Sequence, residues 1–162
     1  MKSKVLLSEI LQSAPSVPCL QYDVGDIATF SAHGAARNLF GLRVKNTAIS
    51  LETDGACPHR FPPDITQLAC DWCVFTVQSH RGYFIELKGS DYLHALNQLT
   101  STMLHMKRTY SITPVKAFAV LSGSHPSNVS PGKANAKSKF QKKFGFLPDE
   151  RRRRDSVRDV VV

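Results

Sequence analysis

The chain has 162 residues, of which 42% are hydrophobic and 21% are charged. This size and composition indicate one globular domain with its own hydrophobic core and leave too little chain for two. The apolar runs fall well short of the roughly 20 residues that span a bilayer. The run Val5-Leu6-Leu7 is too short for a signal peptide, so we expect a cytoplasmic protein that does not bind membranes.

The positive charge is concentrated near the C-terminal end of the sequence. The net charge is +8, and residues 133–162 hold ten Lys/Arg against four Asp/Glu, whereas residues 1–132 hold eleven against nine. A basic segment attached to a nearly neutral domain favours a polyanionic partner, most often a phosphate backbone. The alternative is a solvated tail that only aids solubility. We therefore divide the chain into a core domain, 1–125, and a basic C-terminal extension, 126–162.

The first part of the chain is predicted to be largely helical. Residues 2–12 carry apolar side chains at helical intervals and form a short helix. Alanine, phenylalanine and leucine recur through residues 22–45, which suggests a second helix interrupted by Gly34 and Gly41.

The middle of the chain predicts strands. Residues 48–52 alternate apolar and polar side chains, as a strand with one buried face does. Residues 70–77 and 83–88 are both rich in strand-forming residues, and the short polar segment 78–81 between them is typical of a hairpin loop.

The remaining elements complete an α/β pattern. Residues 92–106 show helical periodicity, 115–121 form a strand, 133–144 form a basic helix, and the arginine run 151–154 lies in a polar tail. A helix between two strands predicts a right-handed crossover and a parallel strand pair. The expected fold is a central mixed β-sheet flanked by helices.

The four cysteines are expected to be free thiols in a chain that is not exported. Cys70 and Cys73 form a C-x-x-C pair with Cys57 and His59 upstream, which raises the alternative of a zinc site. No second C-x-x-C or H-x-x-H pair completes a tetrahedral ligand set. We favour Cys70 and Cys73 as buried small hydrophobic residues.

The candidate catalytic residues are Asp71, Glu86 and Lys88. Residues two apart on a strand face the same side, so Glu86 and Lys88 project together. The hairpin should bring Asp71 opposite residues 87–89. Two adjacent carboxylates repel each other unless a cation lies between them, and Mg²⁺ takes one or two carboxylates together with phosphate oxygens. A nearby lysine would orient a water molecule or stabilise developing negative charge. The alternative is the solvent-facing side of an ordinary strand.

Residues 69–103, with an acid, then Glu-x-Lys, then a helical Gln98, resemble the PD-(D/E)XK nuclease superfamily. The similarity extends over about residues 48–122. It implies a restriction-endonuclease-like core in which Asp71 and Glu86 hold Mg²⁺, with Mn²⁺ as a substitute, and Lys88 assists the attacking water.

The sequence departs from the family pattern at one position and leaves a third ligand open. Cys70 stands where many members have proline before the first acid. Glu9 and Asp54 are the two candidates for a further metal ligand.

The leading hypothesis is a metal-dependent nuclease that hydrolyses phosphodiester bonds, with DNA expected ahead of RNA as its partner. The alternative is a nucleic-acid-binding or partner-binding module that keeps the fold without cleavage. The sequence leaves the oligomeric state open, a dimer included.

Overall fold

Eight strands and two helices make up the part of the chain that the computed structural model describes, namely residues 20–23, 27–32, 35–43, 48–53, 69–76, 78–88, 91–121 and 131–152. In chain order they are β1 (Leu20–Asp23), β2 (Ile27–Ala32), β3 (Ala35–Arg43), β4 (Ala48–Glu52), β5 (Trp72–Thr76), β6 (Arg81–Lys88), α1 (Tyr92–Tyr110), β7 (Thr113–Leu121), α2 (Pro131–Phe144) and β8 (Asp149–Arg152). The helix predicted over 2–12 lies outside the described residues.

Six of these strands form one mixed sheet in the order β1-β4-β5-β6-β7-β8. The pairs from β1 to β6 are antiparallel, and β6, β7 and β8 are parallel to one another. The parallel pair β6–β7 is joined through α1, which confirms the predicted crossover helix. In the part that the structure describes, the molecule is therefore an α/β protein with a mixed sheet and two helices.

Strands β5 and β6 form the hairpin that carries the candidate site. Every residue of β5 is buried, as are all residues of β6 except its two ends. Trp72 pairs with Ile85, which places Asp71 opposite Glu86 rather than opposite residues 87–89. The predicted register was wrong because β6 begins at Arg81, so that the turn is centred closer to β5 than we expected.

Helix α1 covers one face of this hairpin and of β7. It begins after Asp91, whose side chain accepts a hydrogen bond from His94 N at 3.0 Å, and it ends at Ser111, which has a left-handed conformation. Its buried residues recur at helical spacing, and they pack on a cluster that includes Phe84 and Ala119. In the described part of the chain, no helix is long and apolar enough to cross a membrane.

The prediction of an interrupted helix over residues 22–45 was wrong. Strands β2 and β3 occupy most of this segment and pair antiparallel, with Phe30 opposite Phe40. Isoleucine, threonine and phenylalanine favour strands, and this preference together with cross-strand pairing outweighs the helix propensity of the alanines. The pairing also contains a register shift between Ser31 and Ala32.

The segment predicted to be a basic extension supplies α2 and β8 to the same core. Phe140 of α2 is 2% exposed, belongs to the core cluster of α1, and contacts the rings of Phe144 and Phe146. The predicted helix 133–144 is confirmed. The start of the arginine run is not in a tail, however, because Arg151 and Arg152 lie in β8 and pair with the buried end of β7.

We predict that Phe140→Ala lowers the free energy of unfolding by about 3–5 kcal/mol, because the substitution removes a buried aromatic ring from the core. Leu147→Ala is the matched control, since Leu147 is 42% exposed, and should cost less than about 1 kcal/mol. Urea unfolding followed by circular dichroism measures both. Equal losses for the two variants would show that α2 does not stabilise the folded sheet.

Candidate active site

Asp71 and Glu86 face each other where β5 and β6 begin to separate. Asp71 N donates a hydrogen bond to Glu86 Oε2 at 3.2 Å, and Leu87 N donates one to Asp71 Oδ2 at 2.6 Å. Each carboxylate thus accepts a hydrogen bond from a backbone N–H. In a regular antiparallel pair, that N–H would bond to a carbonyl oxygen of the neighbouring strand. Asp71 is 6% exposed and Glu86 is 0% exposed, so both acids lie inside the protein.

Lys88 joins the two acids as the sequence predicts. Its Nζ lies 3.1 Å from Glu86 Oε1, and its side chain remains 28% exposed. Among the described residues, Glu86 Oε1 has no other polar partner. The three predicted residues therefore converge on one point, with the carboxylates buried and the ammonium group reaching towards solvent.

The electrostatics of the site follow from burial and from the proximity of two like charges. Burial, and then the negative charge of Asp71, raise the pKa of Glu86 from its ordinary value of 4.5 to about 8, against the opposing effect of Lys88. Burial, followed by the charge of Glu86, likewise raises the pKa of the Cys70 thiol to about 12. The site therefore disfavours two ionised carboxylates side by side unless a cation lies between them.

Helix α1 fixes the backbone that leads into Asp71. Gln98 Nε2 donates to Ala69 O at 2.7 Å, and Thr102 Oγ1 accepts a hydrogen bond from Cys70 N at 2.8 Å. Thr102 Oγ1 also donates to Gln98 O at 3.0 Å. The resemblance matches Gln98 to the family's helical glutamine, and in the structure Gln98 bonds to the main chain of Ala69, two residues before Asp71.

Strand β4 holds the same segment from the other side. Thr53 N donates to Asp71 O at 2.9 Å, and Thr53 Oγ1 donates to Cys70 O. Sequence reasoning missed both Thr53 and Thr102. The signal for Thr102 was its spacing of four residues from Gln98 on the buried side of α1, where polar side chains need a partner.

The predicted burial of Cys70 and Cys73 is confirmed, and both are free thiols. Burial raises the pKa of Cys73 as well, so neither sulfur is poised to act as a thiolate. Cys57 and His59, which the zinc alternative requires, lie outside the described residues.

A two-carboxylate set suits a hard divalent cation better than zinc. In the part of the chain that the structure describes, no group of three or more His, Cys, Asp or Glu side chains is placed to hold a metal ion. Mg²⁺ needs only one or two carboxylates and keeps water as its remaining ligands. Glu9 and Asp54, the candidates for a third ligand, lie outside the described residues.

Comparisons with protein-family models, curated proteins and solved structures found no match to this chain. The restriction-endonuclease-like core, the magnesium ligands and the role of Lys88 accordingly stay predictions.

We predict that Glu86 makes the metal-free protein less stable as the pH rises. A folded-state pKa above the unfolded value means that the stability contributed by neutral Glu86 is complete below about pH 4.5 and is lost as the pH rises through about 8. In EDTA, the free energy of unfolding of wild type minus that of Glu86→Gln should therefore fall between about pH 5 and pH 8. Urea titrations of both proteins measure it, and a constant difference would contradict the raised pKa.

Proposed function

We propose that the protein is a metal-dependent nuclease with a PD-(D/E)XK-like core, in which Asp71 and Glu86 hold Mg²⁺ and Lys88 assists the attack of water on a phosphodiester. The observation that supports it is the buried contact between Asp71 and Glu86, with the Lys88 ammonium 3.1 Å from Glu86 Oε1. The substrate class is nucleic acid, with DNA expected ahead of RNA.

The donor set fits a divalent cation on electrostatic grounds. Two carboxylates that are 6% and 0% exposed hold up to two negative charges when both are ionised, and a single partly exposed lysine contributes one positive charge. Glu86 Oε1 carries no backbone hydrogen bond and is available as a ligand. A divalent cation bound there would neutralise both acids and polarise a phosphoryl oxygen of the substrate.

Each side chain of the site has a distinct task in this proposal. Asp71 is fixed through Leu87 N and Thr53 N, so its carboxylate is oriented before any ligand arrives. Glu86 supplies the second oxygen donor. Lys88, the one group with an exposed portion, would leave its ion pair to orient the attacking water or to stabilise the charge that develops on phosphate oxygens.

The alternative is a nucleic-acid-binding module that does not cleave. One observation favours it: both carboxylates already accept backbone amides across the β5–β6 junction, which is a structural task in itself. The two hypotheses differ in what removal of an acid does to divalent-metal binding and to cleavage.

We predict that Asp71→Ala and Glu86→Ala abolish both Mn²⁺ binding and cleavage, because each removes half of the ligand set. Lys88→Ala should retain Mn²⁺ binding and reduce the cleavage rate by about 10²–10⁴-fold. The effects should be non-additive when combined, since the three groups act as one unit. The measurements are calorimetric titration with Mn²⁺ and digestion of mixed DNA and RNA with Mg²⁺, Mn²⁺ or EDTA.

Lys116→Ala is the control, since Lys116 is an exposed lysine of β7 that is ion-paired with Asp149 at 3.8 Å. This substitution should leave both Mn²⁺ binding and the cleavage rate unchanged. Mg²⁺-dependent cleavage by purified Glu86→Ala would refute the assignment of the site. Wild type that binds nucleic acid but cleaves none of these substrates would establish the binding module instead.

A further inference from the structure

The two helices carry an extreme charge distribution. Together α1 and α2 contain seven Lys and Arg residues and no Asp or Glu. The same helices pack against each other, and Leu96 of α1 and Phe140 of α2 share the core cluster between them. The exposed Lys and Arg side chains of the two helices therefore have no acidic residue beside them on either helix.

The lysines of α2 fall into two groups. Lys133 and Lys137 turn towards the sheet, where both form ion pairs with Glu150 of β8 and lie over the ring of Tyr92. These two fasten α2 to β8. Lys139, Lys142 and Lys143 are exposed and form no ion pair with any residue that the structure describes.

A groove of about 290 Å³ runs between α1 and α2 beside this second group. Leu96 and Phe140 form its apolar floor, and Lys139 and Lys143 stand at its rim. Asn97, Thr100 and Asn135 add amide and hydroxyl groups to the walls. Lys107, also exposed, lies on the same side of α1 as Thr100, two turns further along.

We infer that this groove binds the phosphate backbone of single-stranded nucleic acid. Ammonium groups neutralise phosphates, and amide and hydroxyl groups donate hydrogen bonds to phosphate oxygens. None of the described residues that line the groove carries a carboxylate, which would repel such a ligand. A single strand can enter the gap between two packed helices, whereas the convex duplex touches only its rim.

The groove also indicates how the strand is recognised. Among the lining residues that the structure describes, the one aromatic side chain, Phe140, is 2% exposed and holds the helices together, so these residues offer no ring for base stacking. Contacts through phosphates alone carry no sequence information. Binding is therefore independent of base sequence and sensitive to salt.

The inference rests on the proposed function only in its choice of nucleic acid as the polyanion, and its test does not require cleavage. The full-length protein is titrated, in EDTA, into a fluorescent oligothymidine of about 20 nucleotides and into the corresponding duplex. The rim variant, Lys139→Gln/Lys143→Gln, removes two positive charges from the rim of the groove. The control variant, Arg108→Gln/Lys142→Gln, removes two positive charges from exposed positions that do not line the groove.

We predict that the rim variant weakens single-strand binding about tenfold at 150 mM salt, and that the control variant weakens it less than about threefold. Between about 50 and 200 mM salt, the slope of log K against log salt should fall by about 1.4 for the rim variant, as expected for two lost phosphate contacts. Duplex should bind more weakly than the single strand. Circular dichroism verifies that both variants are folded.

Equal weakening by the two variants would overturn the inference in favour of diffuse charge, and equal affinity for duplex would overturn the choice of a single strand. Vesicles containing phosphatidylserine are titrated in parallel, and tighter, rim-dependent binding to them would replace nucleic acid by a membrane surface. If the groove binds as predicted while Mg²⁺ yields no cleavage, the proposed nuclease fails and the groove stands. If Mg²⁺-dependent cleavage occurs but the rim and control variants bind the single strand equally well, the groove fails and the nuclease stands.

Discussion

The hydrogen bonds from two backbone amides to the carboxylates of Asp71 and Glu86 are the constraint on which the site depends. Where β5 and β6 separate, Leu87 N donates to Asp71 and Asp71 N donates to Glu86, so the two acids complete the hydrogen bonding of the strand ends. A buried amide without a partner costs free energy, which keeps the acids in place even though they repel each other. One pair of side chains thus both completes the hydrogen bonding at the open end of the hairpin and places two carboxyl groups next to each other inside the protein.

The surrounding elements maintain this arrangement from two directions. Helix α1 bonds to residues 69 and 70 through Gln98 and Thr102, and Thr53, which follows β4, bonds to Asp71 itself. Residues on different elements therefore determine where a single carboxylate lies. Pre-organisation of this kind suits a group that must meet a ligand without rearranging.

The convergence of Asp71, Glu86 and Lys88 could be predicted because it follows from local rules. Strand periodicity places Glu86 and Lys88 on one side, and a short hairpin brings Asp71 next to them. The depth of the acids could not be predicted, since it depends on α1 covering that face of the sheet. Sequence reasoning also missed β8, because Asp149-Glu150-Arg151-Arg152 has the composition of a solvated tail and becomes a strand only by pairing with β7. The strands over residues 22–45 were missed for a related reason, namely that their pairing with each other outweighs local helix preference.

Strand β8 also determines which edge the sheet presents to other proteins. Strand β7 ends in Ala117-Phe118-Ala119-Val120-Leu121, an apolar run that is buried throughout, and β8 is hydrogen-bonded along it as the last strand of the sheet. An apolar strand with an unpaired edge is a template for association with another chain, whereas a short edge strand of charged residues resists such pairing. The parallel pairing of β8 requires the chain to return through α2, so the apolar edge of β7 is covered only when both elements have docked. The four charged residues of β8 therefore protect that edge, and a chain in which they are displaced would expose a surface that favours association.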